Sequence, residues 1–388
     1  MTEFTAFILD DDEFILRALQ RTLKRLVPHW HLQFFQTFAD LLPALDTCPT
    51  LQLVISDRMM PDCHGEEVLA AVQKQRPAVI RCLLTGDTSA DVVIQDSNFI
   101  HHFLAKPFTE NDLLRVFSSV EHLHQLPLQP QLRQELGRMS HLPILPCHFF
   151  ELQAMCQSND TTAAALAMHV SHDPVLTGRL LQLANSPFMG YSRATLDLQE
   201  AIQRLGFDLL QSIAIMLYSQ QQLQSAISEQ QHRQLLLQAW QRAGVCKLIA
   251  HQAGLMKDIQ DKAFMLGLLS GLGELVLAIS PELALRPEDH LPAAITAYLL
   301  TLWGFEGALR QALLFEPQTH SLQHEAGILQ LCWQFANQLL ALQQAAVQGV
   351  DTSAQWQVSD EVPEHLGFAM RQLWQQASLG QLPELGVG

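Results

Sequence analysis

LQLVISDRMMPDCHG, residues 51–65, is the stretch that decides the fold. It opens with an apolar run of strand length, LQLVIS, and passes through Asp57 into a proline, a glycine and a helical pattern over 64–75. An apolar run without alternation reads as a strand buried on both faces, which belongs in a parallel sheet. Working outward, FTAFIL (4–9), VIRCLL (79–84) and FIHHFL (99–104) share that character, and HLQFF (31–35) is a weaker fifth run. Helical patterns at 13–27, 37–46, 64–75, 88–97 and 109–124 lie between them. Strands alternating with helices predict βαβ units, here a doubly wound, flavodoxin-like (βα)5 sheet.

An open α/β sheet places its chemistry at the carboxyl ends of its strands. Read that way, the first strand runs into Asp10, Asp11 and Asp12, the third into Asp57, the fourth into Thr85, and the fifth into Lys106-Pro107. Carboxylates converging on one edge repel each other unless a cation joins them. All-oxygen ligands with room for water suit Mg²⁺. Phosphoryl transfer needs a nucleophile, a divalent metal and donors for the remaining charge. In this reading Asp57 is the nucleophile. Asp10 and Asp11 position the metal with the backbone carbonyl of Met59, Thr85 donates its hydroxyl, and Lys106 supplies a compact cation. Singly, an acidic turn or a Lys-Pro strand exit means little; the weight comes from their order along successive strand ends.

The segments ILDDDE, LVISDRMMPDCHG, LLTGD and FLAKPF resemble the CheY-like receiver family over residues 4–124. The resemblance implies phosphorylation of Asp57 by a sensor histidine kinase or phosphotransfer protein. It also puts Phe103 at the family's aromatic switch position.

Beyond residue 124 the character changes. QLPLQPQ (125–131) and HLPILPCH (141–148) are proline-rich, so 125–140 reads as a linker, and 141–388 as an all-α domain dominated by Ala, Leu and Gln. HVSHDPVLTGRLLQLANSPFMGYSRATLDLQEAIQRLGFDLLQSIAI (169–215), FMLGLLSGLGELVL (264–277) and AYLLTLWGF (297–305) resemble the HDOD family, an offshoot of the HD phosphohydrolase superfamily. In it, Asp173-Pro174 reads as a helix cap, Asn185-Ser186-Pro187 as a helix end, and Leu205-Gly206 as a point of close helix approach. By that resemblance the superfamily's metal ligands would fall at Arg242, at Ser270-Gly271, and near Leu314, Phe315 and Glu316. Such residues anchor no di-metal centre, so no cofactor is expected in this half. His320 and His324 are spaced i,i+4 but read as an exposed helix face. Residues 321–388 read as further helix.

Composition narrows the choices. The chain has 48% hydrophobic and 16% charged residues and a formal charge of −16, which suits a globular protein. Acids outnumber Lys and Arg by 16 to 10 over residues 1–120 and by 23 to 13 over the rest, so neither half carries a basic footprint for nucleic acid. Seven scattered cysteines without a C-x-x-C pair, and a start without a basic n-region, point to free thiols in the cytoplasm. The longest apolar stretch, 263–280, holds Glu274 and three glycines and reads as buried core helix, with no membrane insertion. The expected function is a response regulator whose helical half acts by protein–protein contact on a downstream signalling protein, with a homodimer open. The rival readings are an HD-type phosphohydrolase and a DNA-binding regulator.

Overall fold

The structure is a computed structural model, and it describes residues 4–86, 100–139, 142, 144, 146–158, 160–186, 189–191, 193–221, 227–285, 291–305, 307–314, 324–347 and 362–378. The N-terminal part is a five-stranded parallel sheet of order β2-β1-β3-β4-β5. Its strands are β1 (Phe4–Leu9), β2 (Trp30–Phe35), β3 (Leu51–Asp57), β4 (Ile80–Thr85) and β5 (His102–Ala105). The central strands β1, β3 and β4 are buried almost throughout, as expected of strands covered on both faces. The register aligns Asp57 with Leu84 and Thr85 with Ala105, so the loops after β1, β3, β4 and β5 open on one edge.

Helices α1 (Glu13–Leu26), α2 (Phe38–Thr47) and α3 (Gly65–Gln75), with the helix Glu110–Gln125, flank the sheet. All but α3 start where a side chain satisfies free N–H groups. Asp12 accepts from the Phe14 amide, and Thr37 from Asp40. Thr109 and Asp112 form a reciprocal capping box. The helix expected at 88–97 lies outside the described residues. The fifth strand is shorter than the run 99–104 suggested, because its ladder to β4 begins at Cys82–His102.

The segment 125–140, read from the sequence as a linker, contains a helix, Pro130–Arg138, whose first position is Pro130, where a missing N–H costs nothing. Leu132 and Leu136 bury that helix. Gly137 presses on the loop before β4 so closely that a Cβ would sit 2.1 Å from the Pro77 carbonyl oxygen.

The remainder is helical. Asp173 caps Pro174–Ala184, accepting from the amides of Val175 (2.9 Å) and Leu176 (3.1 Å). Asn185 closes that helix by bonding the Thr195 backbone in both directions. Gly206 serves a different purpose from the one expected: a Cβ there would meet nothing within 4 Å. It is needed because the chain leaves Leu198–Leu205 at φ +81°, a conformation that favours glycine. The long helix Glu229–Gln252 packs against Lys257–Leu269, Glu325–Val347 and Glu364–Ser378. The run 257–279 is long and apolar enough to cross a membrane, but it is broken at Ser270 and largely buried within the helical part. All seven cysteines are free thiols, three of them buried.

Gly65 ties this architecture to the sheet edge. A Cβ there would lie 2.2 Å from the Asp57 carbonyl oxygen, so α3 starts against β3 only because residue 65 has no side chain. Gly65→Ala is expected to destabilise the protein by about 1–3 kcal/mol, as overpacking against backbone does. Equilibrium urea unfolding measures it, and an unchanged midpoint would contradict the close packing.

Candidate functional site

At the sheet edge, the sequence-predicted residues arrive from four strands. Lys106 follows β5 and is placed by its own amide, which donates to the Thr85 carbonyl at 2.7 Å. Its ammonium lies 2.6 Å from Asp57 Oδ1 and 3.1 Å from Asp10 Oδ2. The second oxygen of each acid accepts from a backbone amide: Asp57 Oδ2 from Met59 at 3.1 Å, and Asp10 Oδ1 from Asp12 at 2.9 Å. Thr85 is fully buried at the end of β4. The turn after Asp57 is held by the Arg58–Glu66 ion pair at 2.6 Å and by the Gly65 amide donating to the Arg58 carbonyl.

The three N-terminal acids divide. Asp10 is buried among the site residues, Asp12 is spent capping α1, and Asp11 is exposed at the rim. Met59 contributes its amide to Asp57, while its side chain is exposed. Phe103 is buried on β5, two residues before the strand's end at Ala105.

Electrostatics follow from burial. Burial raises the Asp10 carboxyl above the usual aspartate value; the Asp12 amide and the Lys106 ammonium oppose this without cancelling it. Burial alone would lower Lys106, but the carboxylates of Asp57 and Asp10 outweigh it and hold the amine above its ordinary value. The site therefore keeps a permanent cation beside a buried acid that resists ionising. Hard carboxylate oxygens and such an acid fit a divalent cation, and Asp10, Asp57 and the rim acid Asp11 are the residues that would hold it. Among the described residues no group of three or more His, Cys, Asp or Glu side chains is gathered as a metal cage. Magnesium does not require one, since it retains waters and takes one or two carboxylates.

In the helical half, Arg242, Ser270 and Glu274 come together. Arg242 donates to Ser270 Oγ at 2.8 Å and pairs with Glu274 Oε1 at 2.5 Å. Gly271 packs on Ala239, where a Cβ would fall 2.6 Å from its methyl carbon. A guanidinium thus stands among these positions. Glu274, which sequence reasoning noted only as a charge in an apolar run, completes the cluster; its i,i+4 spacing from Ser270 was the available signal. Leu314 ends the helix Ala308–Leu314, whereas Phe315, Glu316 and His320 lie outside the described residues.

The two halves touch through β5 and the helix Glu110–Gln125. Ser119 Oγ donates to the Thr301 carbonyl at 3.0 Å. Gln182 reaches the His101 carbonyl at 3.5 Å. Buried Tyr298 lies in the field of Arg81 and Arg133, but desolvation dominates and pushes its hydroxyl up to about 12. None of these contacts was legible in the sequence.

Residues 6–118 match the response regulator receiver domain model, and residues 142–286 match the HDOD domain model. The chain is a response regulator that joins a receiver domain to an HDOD domain. The receiver portion is similar to the signal receiver domain of an HD domain-containing protein from Pseudomonas fluorescens Pf-5, with 30% identity, 32% of this chain and 92% of that one covered, and a TM-score of 0.30. The MmoQ response regulator from Methylococcus capsulatus is 23% identical, covering 60% of this chain and 93% of that one, with a TM-score of 0.45. An uncharacterized protein of Treponema pallidum is 29% identical over 150 residues, 38% of this chain. The matched region spans 29% of that relative's length.

The raised Asp10 gives this response regulator a stability signature. An acid whose folded value exceeds its unfolded value costs stability once it is ionised, and the cost fades as pH falls through the folded-state value towards 3.8. Asp10→Asn is therefore expected to melt at or above the wild-type temperature at pH 7 without magnesium. Its advantage should shrink as the buffer is acidified. A lower melting temperature for the variant at pH 7 would contradict this assignment.

Proposed function

We propose that the receiver takes a phosphoryl group on Asp57 from a sensor histidine kinase or phosphotransfer protein, and that this controls an HDOD domain acting through protein contact. The observation that carries the reading is Lys106 held between Asp57 and Asp10 at the carboxyl edge of a 2-1-3-4-5 sheet. The Asp57 carboxylate attacks phosphorus; the new P–O bond forms as the P–N bond of the donor phosphohistidine breaks, and the imidazole leaves. Lys106 orients the carboxylate beforehand and neutralises charge on the transferred group. The Met59 amide, which already donates to Asp57 Oδ2, fixes the second oxygen. Thr85 lies at the end of the neighbouring strand β4, and its hydroxyl is the group that would donate to the new phosphoryl oxygens. Asp10, Asp57 and Asp11, with the Met59 carbonyl, would hold a magnesium ion, which would supply charge neutralisation for the moving oxygens.

Phosphorylation would be read out through β5. Phe103 belongs to the strand whose end carries Lys106, and it lines the cleft against the HDOD domain. The Ser119–Thr301 contact holds that domain on the receiver's output face. Loss of a few kcal/mol at such a contact is enough to shift a docked domain towards release or dimerisation. The HDOD part is read as non-catalytic because Arg242 supplies the positive charge among Ser270 and Glu274, and a guanidinium offers no open coordination site to activate water. The acidic balance of this half supports a protein partner over DNA. The cytoplasm, where a kinase's phosphoryl group is available, is the compartment consistent with this chemistry.

The test is labelling with acetyl phosphate and Mg²⁺, resolved on phosphate-affinity gels. Wild type should show one acid-stable, hydroxylamine-labile phosphoryl group, and Asp57→Asn none. Lys106→Ala should be labelled about 10²-fold more slowly, the usual effect of removing one charge-stabilising group. Undiminished labelling of Asp57→Asn would remove the assignment. For the output, beryllofluoride should change the sedimentation profile or partner capture of wild type and leave Asp57→Asn unaltered; identical behaviour of the two would reject the switch.

A further inference from the structure

At the amino edge of the sheet, opposite Asp57, lies a cavity of about 460 Å³. It is lined by the starts of β3 and β4, at Leu51 and Ile80, and by the loop Pro77, Ala78 and Val79. The helix Pro130–Arg138 borders it, and Tyr298 reaches it from the helix Leu291–Leu302. The seven residues of β3 separate it from Asp57 by roughly 20 Å, at about 3.3 Å per residue. Its volume falls within the usual range for small-molecule sites, and a cavity of this size inside a packed protein is normally filled by side chains.

The walls are held in place. Gly137 presses the helix Pro130–Arg138 onto the Pro77 carbonyl, and Leu132 and Leu136 bury the same helix. Arg133 ties that helix back to the end of Glu110–Gln125, donating from Nε to the Leu128 carbonyl at 3.2 Å and from Nη2 to those of His124 (3.1 Å) and Leu126 (2.8 Å). Arg76 does the same for the end of α2, donating from Nε and Nη2 to the Leu45 carbonyl at 3.1 and 2.7 Å and from Nη2 to Cys48 at 2.9 Å. The cavity is therefore preformed, which spares a ligand the cost of ordering its site.

The charge lining reverses the sign of the protein. In a chain with a net charge of −16, no Asp or Glu lines this cavity among the described residues, whereas Arg76 and Arg133 do. Both guanidiniums are fixed by backbone carbonyls at helix ends, and neither has a carboxylate partner among the described residues. A helix C-terminus carries only about half an elementary charge, so each arginine keeps a share of its positive charge, and each keeps its second terminal nitrogen, Nη1, for a further acceptor. Burial lowers Arg133 below its ordinary value, with Tyr298 opposing. A partly desolvated cation without a counter-ion is a cost that a bound anion would remove. The other basic groups add no charge: Arg138 is paired with Glu135 at 2.7 Å, and His124, bonded to Gln52, is lowered to about 4, first by burial and then by Arg133.

We propose that this cavity binds a small organic phosphate, its doubly charged oxyanion on Arg76 and Arg133 and its body against Leu51, Val79 and Leu128. Guanidinium groups suit phosphate because their planar forks match its oxygens, and two of them match a dianion better than a single carboxylate. The Tyr298 hydroxyl, which lies in the field of Arg133 and stays protonated, adds a donor from the helical half. A ligand held this way touches the receiver, the helix Pro130–Arg138 and the helical domain at once. The inference stands apart from phosphorylation, since it uses neither Asp57 nor Lys106.

The experiment titrates full-length protein with phenyl phosphate by calorimetry, at low salt, at pH 8 and without Mg²⁺. One saturable equivalent is expected, bound at least tenfold tighter than the singly charged benzoate or the uncharged phenol. Arg76→Gln and Arg133→Gln should each weaken binding at least tenfold. Because both side chains also tie helix ends, these variants are read only if their circular dichroism and melting curves match wild type. The double variant Gln75→Glu/Gln134→Glu carries the test in either case: both positions are exposed at the cavity rim, and two carboxylates there should weaken phenyl phosphate at least tenfold. Arg193→Gln, which removes an exposed arginine away from the cavity, should leave binding unchanged. Absence of a saturable equivalent, equal affinity for benzoate or phenol, affinity indifferent to the double variant, or an equal loss in Arg193→Gln would overturn the proposal.

Discussion

The ammonium of Lys106 between Asp10 and Asp57 is the interaction on which the receiver edge depends. Two carboxylates brought together at the ends of adjacent strands would repel, and one of them, Asp10, is almost wholly out of water. Each charge pair near 3 Å is worth on the order of 5 kcal/mol at an effective dielectric constant of about 20. Removing each ion from water costs several kcal/mol, so the balance is close. The outcome is visible in the two groups themselves: Lys106 gains more from its partners than burial takes away, whereas Asp10 does not. An edge in this state has an uncompensated demand for positive charge on its acidic side and a fixed cation on the other. A divalent ion and a phosphoryl group satisfy these together.

The same strand end links the site to the rest of the molecule. Lys106 is positioned by its amide on Thr85, and β5 carries Phe103 two residues upstream of Ala105. β5 has a hydrogen-bonded neighbour, β4, on one side within the sheet; beyond it the helical half meets the receiver through Ser119–Thr301 and Gln182–His101. Under the proposed reading, movement at the Lys106 edge would meet a packed wall shared by the two halves, where small shifts become changes of docking because close-packed interfaces yield little by continuous deformation.

Legibility in the sequence tracked the range of the interaction. Strands buried on both faces announce themselves as unbroken apolar runs, so β1, β3 and β4 were readable, and so was the convergence of Asp10, Asp57, Thr85 and Lys106, since strand ends of a parallel sheet share one edge. The roles of the neighbouring acids were harder to read, because Asp11 and Asp12 differ only in where their side chains go: one caps α1 and the other meets solvent. The helix inside 125–140 was not legible, because proline, which breaks a helix interior, also starts one. Gly206 was assigned to close packing when its φ is the reason for it. The interdomain contacts left no trace in the pattern, because Ser119 and Thr301 are ordinary helix residues 182 positions apart.

The helical half poses the opposite electrostatic problem from the receiver. There, acids gather around a lysine and still suit a metal; here, the positions that resemble a metal centre hold an arginine. A guanidinium brings one fixed positive charge and directional donors, and it satisfies Ser270 and Glu274 simultaneously. It polarises no water to the degree a divalent ion does, and it sits where Glu229–Gln252 packs on Gly271–Ile279, tying those two helices together. Under the proposed reading such a cluster holds helices together, and the contacts that would carry a signal are those where the helices meet the receiver, at Ser119–Thr301 and Gln182–His101.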